Sequence, residues 1–185
     1  MTPHETAILV LGVGNTLMRD DGVGVRLMEA LARVEPTLPG VDYVDAGTLS
    51  FLLLPMIEQC RSLLVLDAAH LEQAPGDIRC LEGAAMDDFL RTARCSVHEV
   101  GIRDLLDVAR LTDHLPEQRA FVGVQPLEIG WGEALSDPVA GALPAAVTAE
   151  IVADDPANGA CSLTSPNAVL VPVTIPVGTT YARFS

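Results

Sequence analysis

Basic residues and long apolar runs are scarce in this chain of 185 residues. Lys and Arg number 11 against 25 Asp and Glu, so the formal net charge is -14. Because so acidic a chain repels phosphate backbones and anionic lipids, we expect it to bind neither nucleic acid nor membranes. No apolar run approaches the ~18 residues of a membrane-spanning helix. The first six residues contain no Lys or Arg of a signal peptide, and we therefore expect a cytoplasmic protein.

Cysteines are too few to form a disulfide framework. The four have irregular spacing, no pair forms a C-x-x-C motif, and they are Cys60, Cys80, Cys95 and Cys161. We expect reduced thiols, as is usual for a cytoplasmic protein. With 49% apolar and 19% charged residues, the chain is too apolar to be disordered, and a chain of this length buries roughly 70% of its unfolded surface on folding.

Apolar runs of strand length alternate with segments of helical spacing, which indicates an α/β domain with a largely parallel sheet. Strands are predicted at residues 7–13, 41–46, 62–67, 77–81 and 120–125, and helices at 23–34, 50–58, 85–91, 102–111 and 138–152. No repeat or linker divides the chain. From residue 153 it becomes rich in Pro, Thr and Val, and the prolines exclude a central strand. We assign residues 1–152 to a single domain and 153–185 to a tail of unknown role.

A glycine loop between a strand and a helix is the position of a dinucleotide-binding fingerprint, and the loop after the first strand has this position. A G-x-G-x-x-G fingerprint starting at Gly12 would need glycine at position 17, where Leu17 stands. Asp20 and Asp21 follow at the expected start of a helix, where a phosphate would otherwise bind and where carboxylates repel it. A helix N-cap accounts for one of these acidic residues and leaves the other unexplained.

Asp21, Asp67 and His98 are predicted in loops or strand ends at one edge of the sheet. Open α/β sheets bind ligands at the carboxyl ends of their strands, and two carboxylates with an imidazole suit a hard or borderline metal ion. Taken singly, Asp67 could be a helix cap, and His98 could be an ordinary residue of a loop before the helix at 102–111. Cys95 with His98 as base is an alternative, nucleophilic pair. Asp45 is a secondary polar candidate whose simpler explanation is a turn cap.

Several motifs resemble a known family in its own order. Residues 8–31 (ILVLGVGNTLMRDDGVGVRLMEAL) resemble the N-terminal signature of the nickel-iron hydrogenase maturation endopeptidases, in which a glycine loop precedes paired acidic residues and a glycine. The segments DAGT (45–48), LVLDA (64–68), SVHEVG (96–101) and FVGVQP (121–126) continue the match. The resemblance covers about residues 7–150, and no counterpart is recognised for the tail.

This resemblance implies a single α/β domain whose twisted, mostly parallel five-stranded sheet lies between helices. It implies an endopeptidase, classed in that family as aspartic-type, that removes the C-terminal extension of a hydrogenase large-subunit precursor after nickel insertion. The family's metal ligands correspond to Asp21, Asp67 and His98, and the precursor would supply the nickel. The alternatives are a maturation chaperone that inspects the metal without protease activity, and a nucleotide-dependent α/β enzyme.

Overall fold

The computed structural model describes residues 8–34, 40–48, 51–92 and 97–147. Its strands are β1 (Ile8–Val13), β2 (Val41–Gly47), β3 (Ser62–Ala68), β4 (Ile78–Glu82) and β5 (Gln118–Val124). Its helices are α1 (Val23–Val34), α2 (Leu54–Gln59), α3 (Gly83–Thr92), α4 (Val97–Leu111) and α5 (Asp137–Val147), and short 3-10 turns at Asp20–Gly22 and Phe51–Leu53 precede α1 and α2. The predicted domain boundary at residue 152 and the tail lie outside these ranges.

The five strands form one sheet in the order β2-β1-β3-β5-β4. β1, β2, β3 and β5 run parallel, and β4 pairs antiparallel with β5 at the edge. The segment 69–77 between β3 and β4 contains no helix, and this short loop lets β4 return without the long crossover that a parallel strand requires. The mostly parallel, five-stranded α/β fold is therefore confirmed.

Helices cover both faces of the sheet. Every residue of β1 and β3 is therefore buried, as expected for central strands of a parallel sheet. Along β3, Leu64 and Leu66 pack on the face covered by α1 and α5. Leu63 and Val65 pack on the opposite face, which is covered by α2, α3 and α4. No helix within the described ranges is long and apolar enough to cross a membrane.

The first turn of α1 lies directly across the ends of β1 and β3. A Cβ atom added to Gly24 would stand 2.1 Å from the backbone oxygen of Leu66 and 2.4 Å from that of Val13. These distances are far below van der Waals contact, so only glycine permits this approach. The turn before α1 is thereby held against the carboxyl edge of the sheet.

Neither of the cysteines that the structure describes, Cys60 and Cys80, lies in a disulfide. Cys60 is buried and Cys80 is half-buried, which agrees with the expectation of reduced cysteines. Burial raises the pKa of the Cys60 thiol to about 12, so this thiol is protonated and unreactive at neutral pH. Cys95 and Cys161 lie outside the described residues.

Candidate functional site

The three predicted site residues occupy backbone positions at one edge of the sheet. Asp21 lies in the 3-10 turn that follows β1, and Asp67 is the penultimate residue of β3, the neighbour of β1. α4 leads into β5, which is parallel to β3. Its 15 residues span about 22 Å, roughly the length of β5, so α4 begins at the carboxyl edge.

The prediction that His98 lies in a loop is wrong. α4 begins at Val97 instead of near Ile102, so His98 is the second residue of the helix. The apolar spacing in the sequence is sustained only from Ile102, where side chains enter the core, and it is preceded by Gly101, a residue that disfavours helix interiors. The helix therefore extends one turn beyond the part that its apolar face reveals.

Asp67 is almost completely buried, with 1% of its surface exposed. It shares the odd-numbered register of Leu63 and Val65, so its side chain points to the sheet face that α4 covers. Its Oδ1 accepts a hydrogen bond of 2.7 Å from the backbone N–H of Ala68. This bond fixes the orientation of the carboxylate at the end of the strand.

Asp21 is held over the end of β1 by a tight turn. Gly14 has a φ of +122°, and a Cβ atom added there would lie 1.8 Å from the backbone oxygen of Asp21. Oδ2 of Asp21 accepts a hydrogen bond of 2.9 Å from the backbone N–H of Asn15. The carboxylate is 6% exposed, and its turn packs against β3, the strand that carries Asp67. Two buried carboxylates are thus positioned on neighbouring strand ends.

Metal binding by the predicted trio stays a prediction. Among the side chains that the structure describes, no three His, Cys, Asp or Glu residues form a group that could hold a metal ion. That set contains Asp21 and Asp67 but not the side chain of His98. The alternative nucleophile Cys95 also lies outside the described residues.

Asp20 has a structural role that sequence reasoning missed. This carboxylate is fully buried and accepts hydrogen bonds from the backbone N–H groups of Leu127 (2.9 Å), Glu128 (3.1 Å) and Ser136 (2.7 Å), and from the Ser136 hydroxyl (2.8 Å). Burial alone would raise the pKa of Asp20, but the bonds from Ser136, Glu128 and Leu127 outweigh it, and the pKa is lowered.

The expectation of an acidic N-cap is therefore wrong. The residue that caps the 3-10 turn is Arg19, and it makes no side-chain capping bond. Asp20 bonds to the segment after β5, and Asp21 bonds backward to Asn15. The paired acidic residues thus have separate contacts: Asp20 fastens a distant loop, and Asp21 faces the end of β1.

Arg19 adopts a strained backbone conformation beside these carboxylates. Its φ is 51° and its ψ is -120°, a region that non-glycine residues rarely adopt. Its backbone N–H donates to the carbonyl oxygen of Gly132 at 2.7 Å, and the backbone N–H of Gly132 donates to the carbonyl oxygen of Leu17 at 3.0 Å. Its guanidinium pairs with Glu128. These contacts hold the loop after β1 against the loop after β5 and sustain the strain.

Two further polar side chains build loops at this edge. Asp45 is exposed, and its Oδ1 accepts a bond of 2.8 Å from the N–H of Gly47, so the simpler expectation of a turn cap is confirmed. Gln125 is buried, and its Oε1 accepts a bond of 2.7 Å from the N–H of Leu71. This bond joins the loop after β3 to the end of β5. No pattern in the sequence predicts the contact.

Comparison with known proteins places these features in a family context. The model of the family described as hydrogenase maturation protease matches residues 25–153. The hydrogenase expression/formation protein HupD of Rhizobium leguminosarum bv. viciae is 34% identical over 146 residues, which are 78% of this chain and 72% of that protein.

Solved structures show the same architecture. The hydrogenase maturating endopeptidase HybD from Escherichia coli superposes with a TM-score of 0.70 at 33% identity, over 76% of this chain and 86% of that one. The [NiFe] hydrogenase maturation protease HybD from Thermococcus kodakarensis gives a TM-score of 0.64 at 28% identity, over 76% and 93% of the two chains.

Proposed function

Because the chain belongs to the hydrogenase maturation protease family, we propose that it removes a C-terminal extension from a nickel-iron hydrogenase large-subunit precursor after nickel insertion. In this proposal the nickel belongs to the substrate and is held by the precursor. Asp21, Asp67 and His98 are the ligands through which the protease recognises it, and the reaction takes place in the cytoplasm.

The observation that carries the proposal is the pair of buried carboxylates on neighbouring strand ends. Asp21 and Asp67 are 6% and 1% exposed. Charges in a buried site are screened less by water than exposed ones, so two carboxylates here would attract a metal cation carried by a partner. Carboxylate oxygens together with an imidazole nitrogen form a donor set that suits divalent nickel.

The chain's own contribution is to orient the ligand oxygens before the substrate arrives. The N–H of Asn15 fixes the carboxylate of Asp21, and the N–H of Ala68 fixes that of Asp67, as outer-sphere hydrogen bonds do in metal sites. When bound, nickel supplies Lewis acidity. A precursor without nickel offers these carboxylates no counter-charge. Only the nickel-loaded precursor is therefore expected to dock productively.

The proposal predicts that only the nickel-loaded precursor is shortened. Purified protein would be incubated with precursor prepared with and without nickel, and the products weighed by intact-mass spectrometry. A shortened product in the nickel-loaded sample alone is the expected result. Stable binding without any shortened product would favour the chaperone, and equal cleavage of the nickel-free precursor would contradict recognition of the metal.

Cys95→Ser tests the alternative in which a thiolate attacks the scissile bond. If Asp21, Asp67 and His98 act as ligands, the thiol is dispensable, and we expect the variant to process nickel-loaded precursor within about twofold of the normal rate. A catalytic thiolate could not be replaced by a hydroxyl, whose pKa is far above neutral. A folded Cys95→Ser protein with no activity would establish the Cys-His alternative.

A further inference from the structure

Exposed large apolar side chains are concentrated at the carboxyl edge of the sheet. Seven are found among the described residues: Leu17, Phe51, Leu52, Leu111, Leu127, Ile129 and Trp131. Six of them, all but Leu111, lie in segments that follow the carboxyl ends of β1, β2 and β5. Such a concentration on one side of a molecule marks an interaction surface more often than scattered apolar residues do.

Four of these side chains belong to two loops that pair with each other. Leu17 lies in the loop after β1, and Leu127, Ile129 and Trp131 are alternate residues of the loop after β5. The loops are joined by backbone bridges between Met18 and Gly132 and between Arg19 and Ile129. We call Leu17, Leu127, Ile129 and Trp131 the apolar patch. Trp131 is 81% exposed and is its largest member.

The 3-10 turn that carries Asp21 also anchors the apolar patch. Asp20 accepts hydrogen bonds from the N–H groups of Leu127 and Glu128, and Asp21 is the next residue. The Cα atoms of successive residues are about 3.8 Å apart. The candidate nickel ligand and the apolar patch are therefore fixed to each other by adjacent residues of one short turn.

The charge around the apolar patch favours a basic partner. Glu128 is paired with Arg19. The next charged residues along the chain are both exposed and acidic: Glu133 on the same loop and Asp137 at the start of α5. The whole chain carries a net charge of -14. A partner segment with apolar side chains and flanking basic residues would complement both the surface and its charge.

We infer that the apolar patch is the docking surface for the hydrogenase large-subunit precursor, and that it binds a precursor segment of apolar residues flanked by basic ones. This inference rests on the proposed function, because it places the docked segment beside the nickel ligand Asp21. The apolar patch supplies binding affinity and positions the precursor segment, and the buried carboxylates bind the nickel. Trp131 is the expected anchor, since exposed aromatic residues commonly dominate binding energy at interfaces.

Kinetics of precursor processing distinguish docking from chemistry. Trp131→Ala and Ile129→Ser are expected to raise KM for nickel-loaded precursor roughly 10- to 30-fold, with kcat within about twofold of normal. Leu111→Ala is the matched control. Leu111 is 84% exposed, but it is the last residue of α4 and lies away from the carboxyl edge of the sheet, where the apolar patch is found. Unchanged KM in both patch variants, or a loss confined to kcat, would overturn the inference.

Trp131 is also the chain's single tryptophan, so it reports directly on what covers the patch. In the full chain labelled with 5-fluorotryptophan, the ¹⁹F resonance should be that of a water-exposed indole and should shift when unlabelled nickel-loaded precursor is added. A shift with rising protein concentration alone would assign the patch to a second copy. A resonance typical of a water-protected indole in the dilute free chain would mean that residues 148–185 cover the patch. Either of these two results would overturn the inference.

The two proposals fail in different ways. If the wild-type protein leaves nickel-loaded precursor uncut, the proposed function fails, whereas the ¹⁹F titration still measures docking. If the wild type cuts the precursor while the resonance of Trp131 stays unchanged at saturation, only the docking surface is rejected.

Discussion

Asp21→Asn and Asp67→Asn are each expected to lower the processing of nickel-loaded precursor at least about 100-fold, because loss of a metal ligand exceeds the 10- to 100-fold effect of losing an outer-sphere partner. Each amide keeps a carbonyl oxygen that can accept the bond from Asn15 or Ala68 seen in the structure. It removes the negative charge and is a weaker ligand. Initial rates of product formation, measured by intact-mass spectrometry, give the effect.

Two variants serve as comparisons for this result. Asp45→Asn changes an exposed carboxylate at the same edge of the sheet and should process precursor at the normal rate. His98→Gln should be inactive, since an amide replaces the imidazole ligand. Thermal unfolding monitors the fold of every variant. Normal processing by any two of the variants at positions 21, 67 and 98 would refute the assignment of the site.

Asp20→Ala is expected to lower the free energy of unfolding by about 3–5 kcal/mol, because it strands buried donors. The N–H groups of Leu127, Glu128 and Ser136 lose the acceptor that they have in the structure. The melting temperature should fall by roughly 10 °C in a chain of this size. Urea unfolding followed by circular dichroism measures the loss. A variant as stable as the wild type would contradict the anchoring role of Asp20.

The contribution of Asp20 should depend on pH with a definite sign. Its pKa is lowered in the folded protein from the ordinary value of 3.8, so its ionised form is favoured by folding. The stabilisation is therefore complete above the unfolded pKa and is lost as the pH falls through the folded pKa. The stability difference between wild type and Asp20→Ala should be constant near neutrality and should shrink below about pH 4.

A matched substitution separates anchoring from the reaction. Asp87 is a second carboxylate with lowered pKa: burial opposes the shift, and hydrogen bonding and charge from Arg119, with the charges of Arg110 and Arg91, cause it. Its hydrogen-bond partners, Arg110 and Arg119, lie on α4 and β5. Asp87→Ala should therefore destabilise the chain without changing KM for precursor, whereas Asp20→Ala should also raise KM by loosening the loop of Trp131.

The sequence by itself determined the α/β class, the positions of the buried strands and the three candidate ligands. β1 and β3 were predictable because a strand buried on both faces must be a continuous apolar run, and the structure buries both throughout. Asp67 stood out because a carboxylate ends such a run. Motif order indicated the family, since residues 8–31 and the later segments match it independently of any contact.

Only the tertiary structure decided how the neighbouring carboxylates differ. Asp20 and Asp21 are chemically identical and adjacent, but Asp20 bonds to residues 107 to 116 positions away, and a local pattern carries no information about such contacts. The exposure of Trp131 was equally hidden, because it depends on which loops pair across the edge. The sequence did not predict the start of α4 at Val97, because Gly101 interrupts the apolar pattern ahead of Ile102 and disfavours a helix interior. Local periodicity reports burial along one element, whereas the site arises where the ends of several elements meet in space.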